Sequence, residues 1–205
     1  MSAEADCRRL LDIARRLIED GVEDSQPLAG AIGATTIQAP RLSPRRLAAC
    51  RHWRPALALA DDASAAVAGA LAPLAELFHW VQNPNYSDAD MGSGYMDNYA
   101  YAELVGRRGL LGGGDYALGV LLLGPGLTYP PHAHPANEVY YVVGGTAEWR
   151  RGPGPWKAQA PGSLIEHPSG LVHATRTGVD PLVALYLWWG DIATHAKLTP
   201  GPDKS

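Results

Sequence analysis

The sequence predicts a mainly β fold preceded by helices, and two observations lead to this. Up to about residue 82, apolar residues recur at helical spacing. After that point, short β-rich segments alternate with clusters of glycine and proline. We therefore predict a helical region over 1–82, a β domain over 83–198 and a C-terminal tail over 199–205.

Three helices are predicted in the N-terminal region. Apolar residues between 10 and 18 share one helical face, and Gly21 is a typical stop. A short helix is expected over 43–51, because its first two residues are serine and proline, which favour an N-cap and a first helical position. The Ala/Leu-rich segment 63–81 predicts a longer helix that Pro73 bends or starts. Packing against the strands or a partner subunit is their expected role.

Five β segments are predicted after residue 82. They cover 95–104, 117–123, 138–149, 163–167 and 182–189. The Gly/Pro-rich run at 151–155 is typical of a hairpin connection rather than a linker between domains.

Composition and charge exclude several classes of function. The net charge of −4 offers no basic surface for nucleic acid. No stretch has the roughly 18 apolar residues of a membrane span, and residues 1–20 lack an apolar signal segment. Cys7 and Cys50 are too few for a disulfide framework. The expectation is a soluble cytoplasmic protein that acts on a small molecule and contacts neither nucleic acid nor membrane.

Four residues with metal-binding side chains stand in two spaced motifs. The first is Gly126-x5-His132-x-His134-x3-Glu138-x6-Gly145, and the second is Gly162-x5-Pro168-x-Gly170-x2-His173. Because side chains alternate along a strand, His132, His134, Glu138 and Tyr140 share one face. Nitrogen and oxygen ligands without a thiolate suit Zn, Fe, Mn, Co or Ni. An alternative interpretation is that these are surface histidines in a proline-rich loop. That interpretation fits poorly with ligand residues and glycines in register.

The order and spacing of these motifs resemble those of the cupin superfamily. The resemblance implies a double-stranded β-barrel, also called a jelly roll, that holds one divalent metal ion on His132, His134, Glu138 and His173. One position departs, since Thr177 stands where the second motif usually ends in asparagine. That asparagine is generally not a ligand. Cupins are often dimers, so a homodimer is also implied.

A narrower resemblance covers about residues 75–195. The segments 91–106, 129–140 and 167–176 resemble the cupin-type dimethylsulfoniopropionate (DMSP) lyases, the DddQ-like group. The resemblance implies elimination of dimethyl sulfide from DMSP, a zwitterion with a sulfonium and a carboxylate, to leave acrylate. It also implies that Tyr140 is the catalytic base, with Tyr129 lining the site beside it. A nearby cation would favour the tyrosinate form of such a base.

A sulfonium group cannot be matched by hydrogen bonds, so aromatic ring faces are its expected partners. Trp188 and Trp189 have opposite parity on a predicted strand, and we expect Trp188 to face the site. Tyr141 should point away from Tyr140 for the same reason. Core packing is the alternative for each of these rings. His167 matches no ligand position and is interpreted as a structural residue.

Two other functions are compatible with these patterns. One keeps the metal and Tyr140 but isomerises or cleaves another small acid or sugar, since proton abstraction next to a carbonyl serves both reactions. The other is a non-catalytic cupin that binds a ligand and regulates a partner. A tyrosine in register with the ligands favours catalysis over binding alone.

Overall fold

A computed structural model describes residues 3–37, 42–113 and 115–200 of the chain. Its strands run in chain order as β1 Tyr99–Val105, β2 Tyr116–Leu123, β3 Thr128–Ala133, β4 Ala136–Gly144, β5 Ala147–Arg151, β6 Lys157–Gln159, β7 Leu164–His167, β8 His173–Thr177, β9 Leu182–Gly190 and β10 Lys197–Leu198. Five form one sheet in the order β1-β2-β9-β4-β7, and five form a second in the order β10-β3-β8-β5-β6.

The two antiparallel sheets form a jelly roll. Apart from the β1–β2 and β5–β6 hairpins, consecutive strands alternate between the sheets. Side chains of both inner faces meet in one buried cluster that includes Leu121, Tyr140 and Ala184 from the first sheet and Tyr129 and Trp149 from the second. The predicted mainly β fold with N-terminal helices is therefore confirmed. The division of the chain at residue 82 stays a prediction.

The helices precede the strands, and those before residue 75 cover the outer face of the first sheet. They are α1 Ala3–Gly21, α2 Gln26–Gly33, α3 Trp53–Leu57, α4 Ala65–Leu71 and α5 Asp88–Met91, with 3-10 turns at Ala48–His52 and Ala72–Leu74. The apolar stripe of α1 packs in a second buried cluster, which also holds the outward residues of β2, β4 and β9. Within the described residues, no helix combines the length and apolar character needed to cross a bilayer.

Two helix predictions need correction. Of the helix expected over 43–51, only the end is helical, as part of the 3-10 turn Ala48–His52. The start is not helical, because the backbone of Arg45 bonds to the 78–80 segment: its N–H donates to Phe78 O at 3.1 Å, and its carbonyl accepts from Trp80 N at 3.0 Å. The helix expected over 63–81 is correct only for Ala65–Leu71. It tightens into a 3-10 turn at Pro73, which has no N–H to donate, and Val81 is extended and paired with Tyr101.

Each of the five predicted β segments contains a strand, with shifted ends, whereas β3, β6, β8 and β10 were not predicted. The first strand begins at Tyr99 rather than at residue 95. The segment 138–149 is two strands, because the chain turns at Gly145, where φ is +84° and a Cβ would lie 2.0 Å from the carbonyl oxygen of Pro181. The run at 151–155 joins β5 to β6 in a hairpin, as predicted. Of the predicted tail, residues 201–205 lie outside the described residues.

Candidate metal centre and substrate pocket

Strand alternation and register bring the predicted site residues to one end of the barrel interior. On β4, Glu138 and Tyr140 face inward, whereas Tyr141 faces the helices and donates its hydroxyl to Ala63 O at 2.7 Å. Glu138 lies opposite Trp188 on β9 and opposite His167 on β7. The predicted orientations of Tyr140 and Tyr141 are confirmed.

Glu138 is the centre of a buried cluster of histidines. Its Oε2 lies 3.2 Å from His134 Nε2, 3.3 Å from His173 Nε2 and 3.1 Å from His167 Nδ1. Burial raises the pKa of Glu138, but the imidazole contacts outweigh burial and hold that pKa well below its usual value. The carboxylate is therefore charged, although the whole cluster is closed to solvent.

Backbone contacts fix the tautomer of the three predicted histidine ligands. Nδ1 of His132 contacts Pro130 O at 2.8 Å, that of His134 contacts Ala136 O at 3.0 Å, and that of His173 contacts Leu171 O at 2.8 Å. A carbonyl oxygen only accepts, so each Nδ1 carries a proton, which leaves Nε2 as the atom that can bind a metal ion when the ring is neutral. Metal-binding histidines are oriented in this manner.

The resulting arrangement fits a divalent cation. Nε2 of His134 and Nε2 of His173 both face Oε2 of the charged Glu138 carboxylate. Burial lowers the pKa of His134, but the contact with Glu138 outweighs burial and raises that pKa, so a positive charge is favoured at this point. Acceptor atoms at this distance repel one another unless a positive charge lies among them. One ligand atom from each of His134, Glu138 and His173 lies within 4.8 Å of the other two. Three of the four predicted ligands are therefore grouped as one metal ion requires.

His132 lies at the border of this group. Its ring centroid is 4.1 Å from that of His173, and its ring stacks on Tyr129 at 3.9 Å. Burial lowers the pKa of His132 well below its ordinary value, which keeps the ring neutral and its Nε2 able to bind a metal. Its role as a fourth ligand stays a prediction.

Two contacts of Glu138 were missed by the sequence reasoning. Trp188 faces the site as predicted, yet its indole N–H donates to Glu138 Oε1 at 2.5 Å and its ring lies 4.1 Å from that of His134. His167, interpreted from the sequence as structural, donates to the other carboxylate oxygen and stacks on His173 with ring centroids 4.0 Å apart. Cross-strand register places both beside Glu138, and the sequence alone does not give that register.

A small pocket with aromatic walls extends from the metal centre. Glu138 lies at one end, and the walls comprise Tyr99, Tyr101, Tyr129, Tyr140, Tyr186 and Trp188. Burial raises the pKa of Tyr140 well above its usual value, and the Glu138 carboxylate adds to this shift. Without a cation nearby, Tyr140 therefore holds its proton. Tyr129 is also buried with its pKa raised, and its hydroxyl shares a hydrogen bond of 3.0 Å with Tyr86.

Gly119 on β2 makes room for one wall of this pocket. A Cβ at this position would lie 2.4 Å from Ala102 O and 2.6 Å from the ring and hydroxyl of Tyr186. We expect Gly119→Ala to lower the free energy of unfolding by about 1–3 kcal/mol, because strand and ring must shift to admit the methyl group. Thermal unfolding measures this.

Gly30→Ala is the matched control for Gly119→Ala. Gly30 lies inside α2, and a Cβ there meets no atom within 4 Å. Alanine should leave stability unchanged or raise it by up to about 1 kcal/mol, because glycine is the poorer helix former. Equal unfolding temperatures for Gly119→Ala and the parent protein would contradict the close packing of Tyr186 over β2.

Comparison with known proteins agrees with this geometry. The family model for DMSP lyases matches residues 32–184, which is most of the chain. The chain belongs to the DMSP lyase family. It is 36% identical over 141 residues to the DMSP lyase DddQ of Ruegeria pomeroyi, a match that covers 69% of each protein.

Two solved structures of DMSP lyases resemble the whole fold. The crystal structure of DddQ from Ruegeria pomeroyi superposes with a TM-score of 0.76 at 30% identity, covering 96% of this chain and 98% of that one. A structure from work on the DMSP lyases RdDddP and RnDddQII gives a TM-score of 0.78 at 26% identity, covering 97% and 100%. The N-terminal helices therefore belong to the shared fold, not only the barrel.

Proposed function

We propose that this chain cleaves DMSP into dimethyl sulfide and acrylate by base-catalysed β-elimination. Family membership supports the reaction. The observation that carries the mechanism is that Glu138, Tyr140 and Trp188 line one pocket beside the buried histidine cluster. A potential base, an anchored carboxylate and an aromatic wall are thus available to a single small substrate.

The reaction needs a base but no external reactant. The base takes a proton from the carbon next to the substrate carboxylate, and the electron pair left there becomes the carbon–carbon double bond. The bond from the neighbouring carbon to sulfur breaks, and dimethyl sulfide leaves as a neutral molecule. The proton taken by the base then returns to solvent, so atoms and charge balance.

His132, His134, Glu138 and His173 would hold one divalent metal ion. The ion would supply positive charge that stabilises the charge developing on the substrate carboxylate. Zn, Fe, Mn, Co and Ni all accept this ligand set. Trp188 and His167 would keep Glu138 in place, since each donates a hydrogen bond to a different oxygen of its carboxylate.

Tyr140 would be the base and Tyr129 would position the substrate. Tyr140 follows Glu138 by two residues on one strand, so its ring extends into the pocket beside the carboxylate. The hydroxyl of Tyr129 is already shared with Tyr86, and its ring is stacked on His132. These contacts favour a fixed orientation over proton exchange with a substrate. Trp188 would present its ring to the substrate as part of the aromatic wall.

Detection of dimethyl sulfide in the headspace tests the proposed function. Purified protein loaded separately with Zn, Fe, Mn, Co or Ni should release dimethyl sulfide and acrylate in equal amounts, and substrate deuterated next to the carboxylate should react more slowly. A chelator-treated sample is the control. If no metal gives sulfide release, the pocket serves another small acid.

The predicted cytoplasmic location and homodimer stay predictions.

A further inference from the structure

The end of the pocket remote from the histidines around Glu138 holds titratable groups that the elimination does not use. Glu103 on β1, Arg108 in the following turn and His195 near the C-terminus all line the same pocket as Glu138. On β1 the inward row is Tyr99, Tyr101 and Glu103, and the Glu103 side chain is only 6% exposed. A carboxylate is unexpected inside an aromatic cavity, because burial there is unfavourable for a charged group.

Burial of a carboxylate costs several kcal/mol unless nearby charges compensate for the lost water. Glu103 Oε2 accepts from the backbone N–H of Arg108 at 2.8 Å. The Arg108 guanidinium lies 3.6 Å from Oε1, which is too long for a hydrogen bond, and it donates instead to His195 Nε2 at 2.7 Å. Because the Arg108 side chain is also 33% exposed, it neutralises Glu103 only in part.

The pKa of Glu103 agrees with incomplete compensation. Burial raises this pKa, and the contacts with Arg108 offset the rise without cancelling it. A cation inside the pocket would stabilise the charged form of Glu103, and that form would in turn attract the cation.

Aromatic rings occupy the space between Glu103 and Glu138. On neighbouring strands, Glu103 lies opposite Gly119, Gly119 lies opposite Tyr186, and Tyr186 lies opposite Tyr140. Since Gly119 has no side chain, the Tyr186 ring lies over β2 toward Glu103, and its centroid is 6.4 Å from that of Tyr101. Ring faces backed by a carboxylate suit a cation that cannot form hydrogen bonds.

We propose that Glu103, with the rings of Tyr101 and Tyr186, forms the subsite for the sulfonium end of the substrate, an inference that rests on the proposed function. The subsite selects a cationic head group over a neutral one of equal size. The substrate carboxylate then points to the opposite end, at Glu138 and the histidines. Arg108, with its guanidinium 3.6 Å from Oε1, is a partial counter-ion to Glu103.

Two uncleaved analogues of equal shape test the charge preference. One is 3-(trimethylammonio)propanoate, which is cationic at the head, and the other is 4,4-dimethylpentanoate, which is neutral there. Calorimetric titration of the metal-loaded parent protein should give a Kd at least about tenfold lower for the cationic analogue, within the range of cation–π and partly screened ionic attraction. In Glu103→Gln this preference should fall to about twofold, with the Kd of the neutral analogue nearly unchanged.

Arg108→Gln separates a binding role from a structural one. If Glu103 attracts the sulfonium, removing the competing guanidinium should leave the cationic analogue bound as tightly or a few-fold more tightly. If the Glu103–Arg108 pair only holds the turn, both variants should weaken both analogues alike, which would overturn the proposal. Glu148→Gln is the matched control, because Glu148 pairs with Arg176 on the surface, and its preference should equal that of the parent protein.

Binding and turnover distinguish failure of this inference from failure of the proposed function. For Glu103→Gln the KM for DMSP should rise about tenfold while kcat stays within about threefold, since Glu103 is remote from the base. A parent protein that cleaves DMSP beside a Glu103→Gln variant that keeps full charge preference would reject the subsite alone. A parent protein that prefers the cationic analogue but releases no sulfide would reject the reaction and support the subsite.

Discussion

His134→Ala should lose most of its bound metal ion and, with it, most dimethyl sulfide release. Nε2 of His134 lies 3.2 Å from Glu138 Oε2 and belongs to the compact group of ligand atoms formed with His173. Loss of a residue that only orients a ligand typically costs about 10–100-fold in metal affinity, so loss of a ligand should cost more. Metal content after dialysis against buffered free metal, measured alongside headspace sulfide, checks both effects.

Two histidine variants serve as controls for this result. His79→Ala removes a half-buried ring far along the chain from the motifs, whose Nδ1 contacts Ser43 O at 2.7 Å, and its metal content should not change. His167→Asn keeps an N–H donor near Glu138 and should retain most of the metal if His167 only orients the carboxylate. Unchanged metal in His134→Ala, or complete loss in His167→Asn, would mean that the ligand set is different.

Alternation along one strand made half of this site predictable from the sequence. The separation of two residues between Glu138 and Tyr140, and between Trp188 and its inward neighbour Tyr186, fixes which side chains face the barrel interior. The resemblance of the glycine-framed motifs to those of cupins implied the fold. Gly126, Gly145, Gly162 and Gly170 of these motifs all have positive φ angles, which glycine adopts most readily.

The other half of the site depends on the register between strands, which cannot be read from a single sequence. His167 lies opposite Glu138 only because β7 pairs with β4 at that register. Glu103 has no distinguishing neighbours in the sequence, yet β1 and the turn at Arg108 bring it into the substrate pocket. The sheet face to which a side chain points could therefore be predicted, whereas the residue opposite it on the neighbouring strand could not.

The errors in the helical region have a related cause. Ser43 and Pro44 carry good local signals for a helix start, but the backbone of Arg45 gains hydrogen bonds from the distant 78–80 segment. A second pairing, of Val81 with Tyr101, keeps the end of the segment 63–81 extended, beyond the 3-10 turn at Pro73. Contacts between segments about 20 to 35 residues apart outweighed local propensity at both places.

Tyr140→Phe should lower turnover of DMSP by roughly 10²–10⁴-fold, the range typical of a general acid–base group. The substitution removes one oxygen and keeps the ring, which packs 6.1 Å from Trp149 and 6.4 Å from Tyr186. Metal content and unfolding temperature should therefore change little, so a loss of turnover would report on the hydroxyl alone. Steady-state release of dimethyl sulfide at saturating substrate measures the effect on kcat.

The neighbouring tyrosines provide matched controls for the base. Tyr141→Phe should be nearly silent in turnover, because its hydroxyl bonds to Ala63 O on the far side of the sheet. Tyr129→Phe should be intermediate, since it removes the hydrogen bond to Tyr86 that helps to orient this side of the pocket. If Tyr140→Phe keeps near-parental elimination while Tyr129→Phe is inactive, the two roles are reversed and Tyr129 is the base.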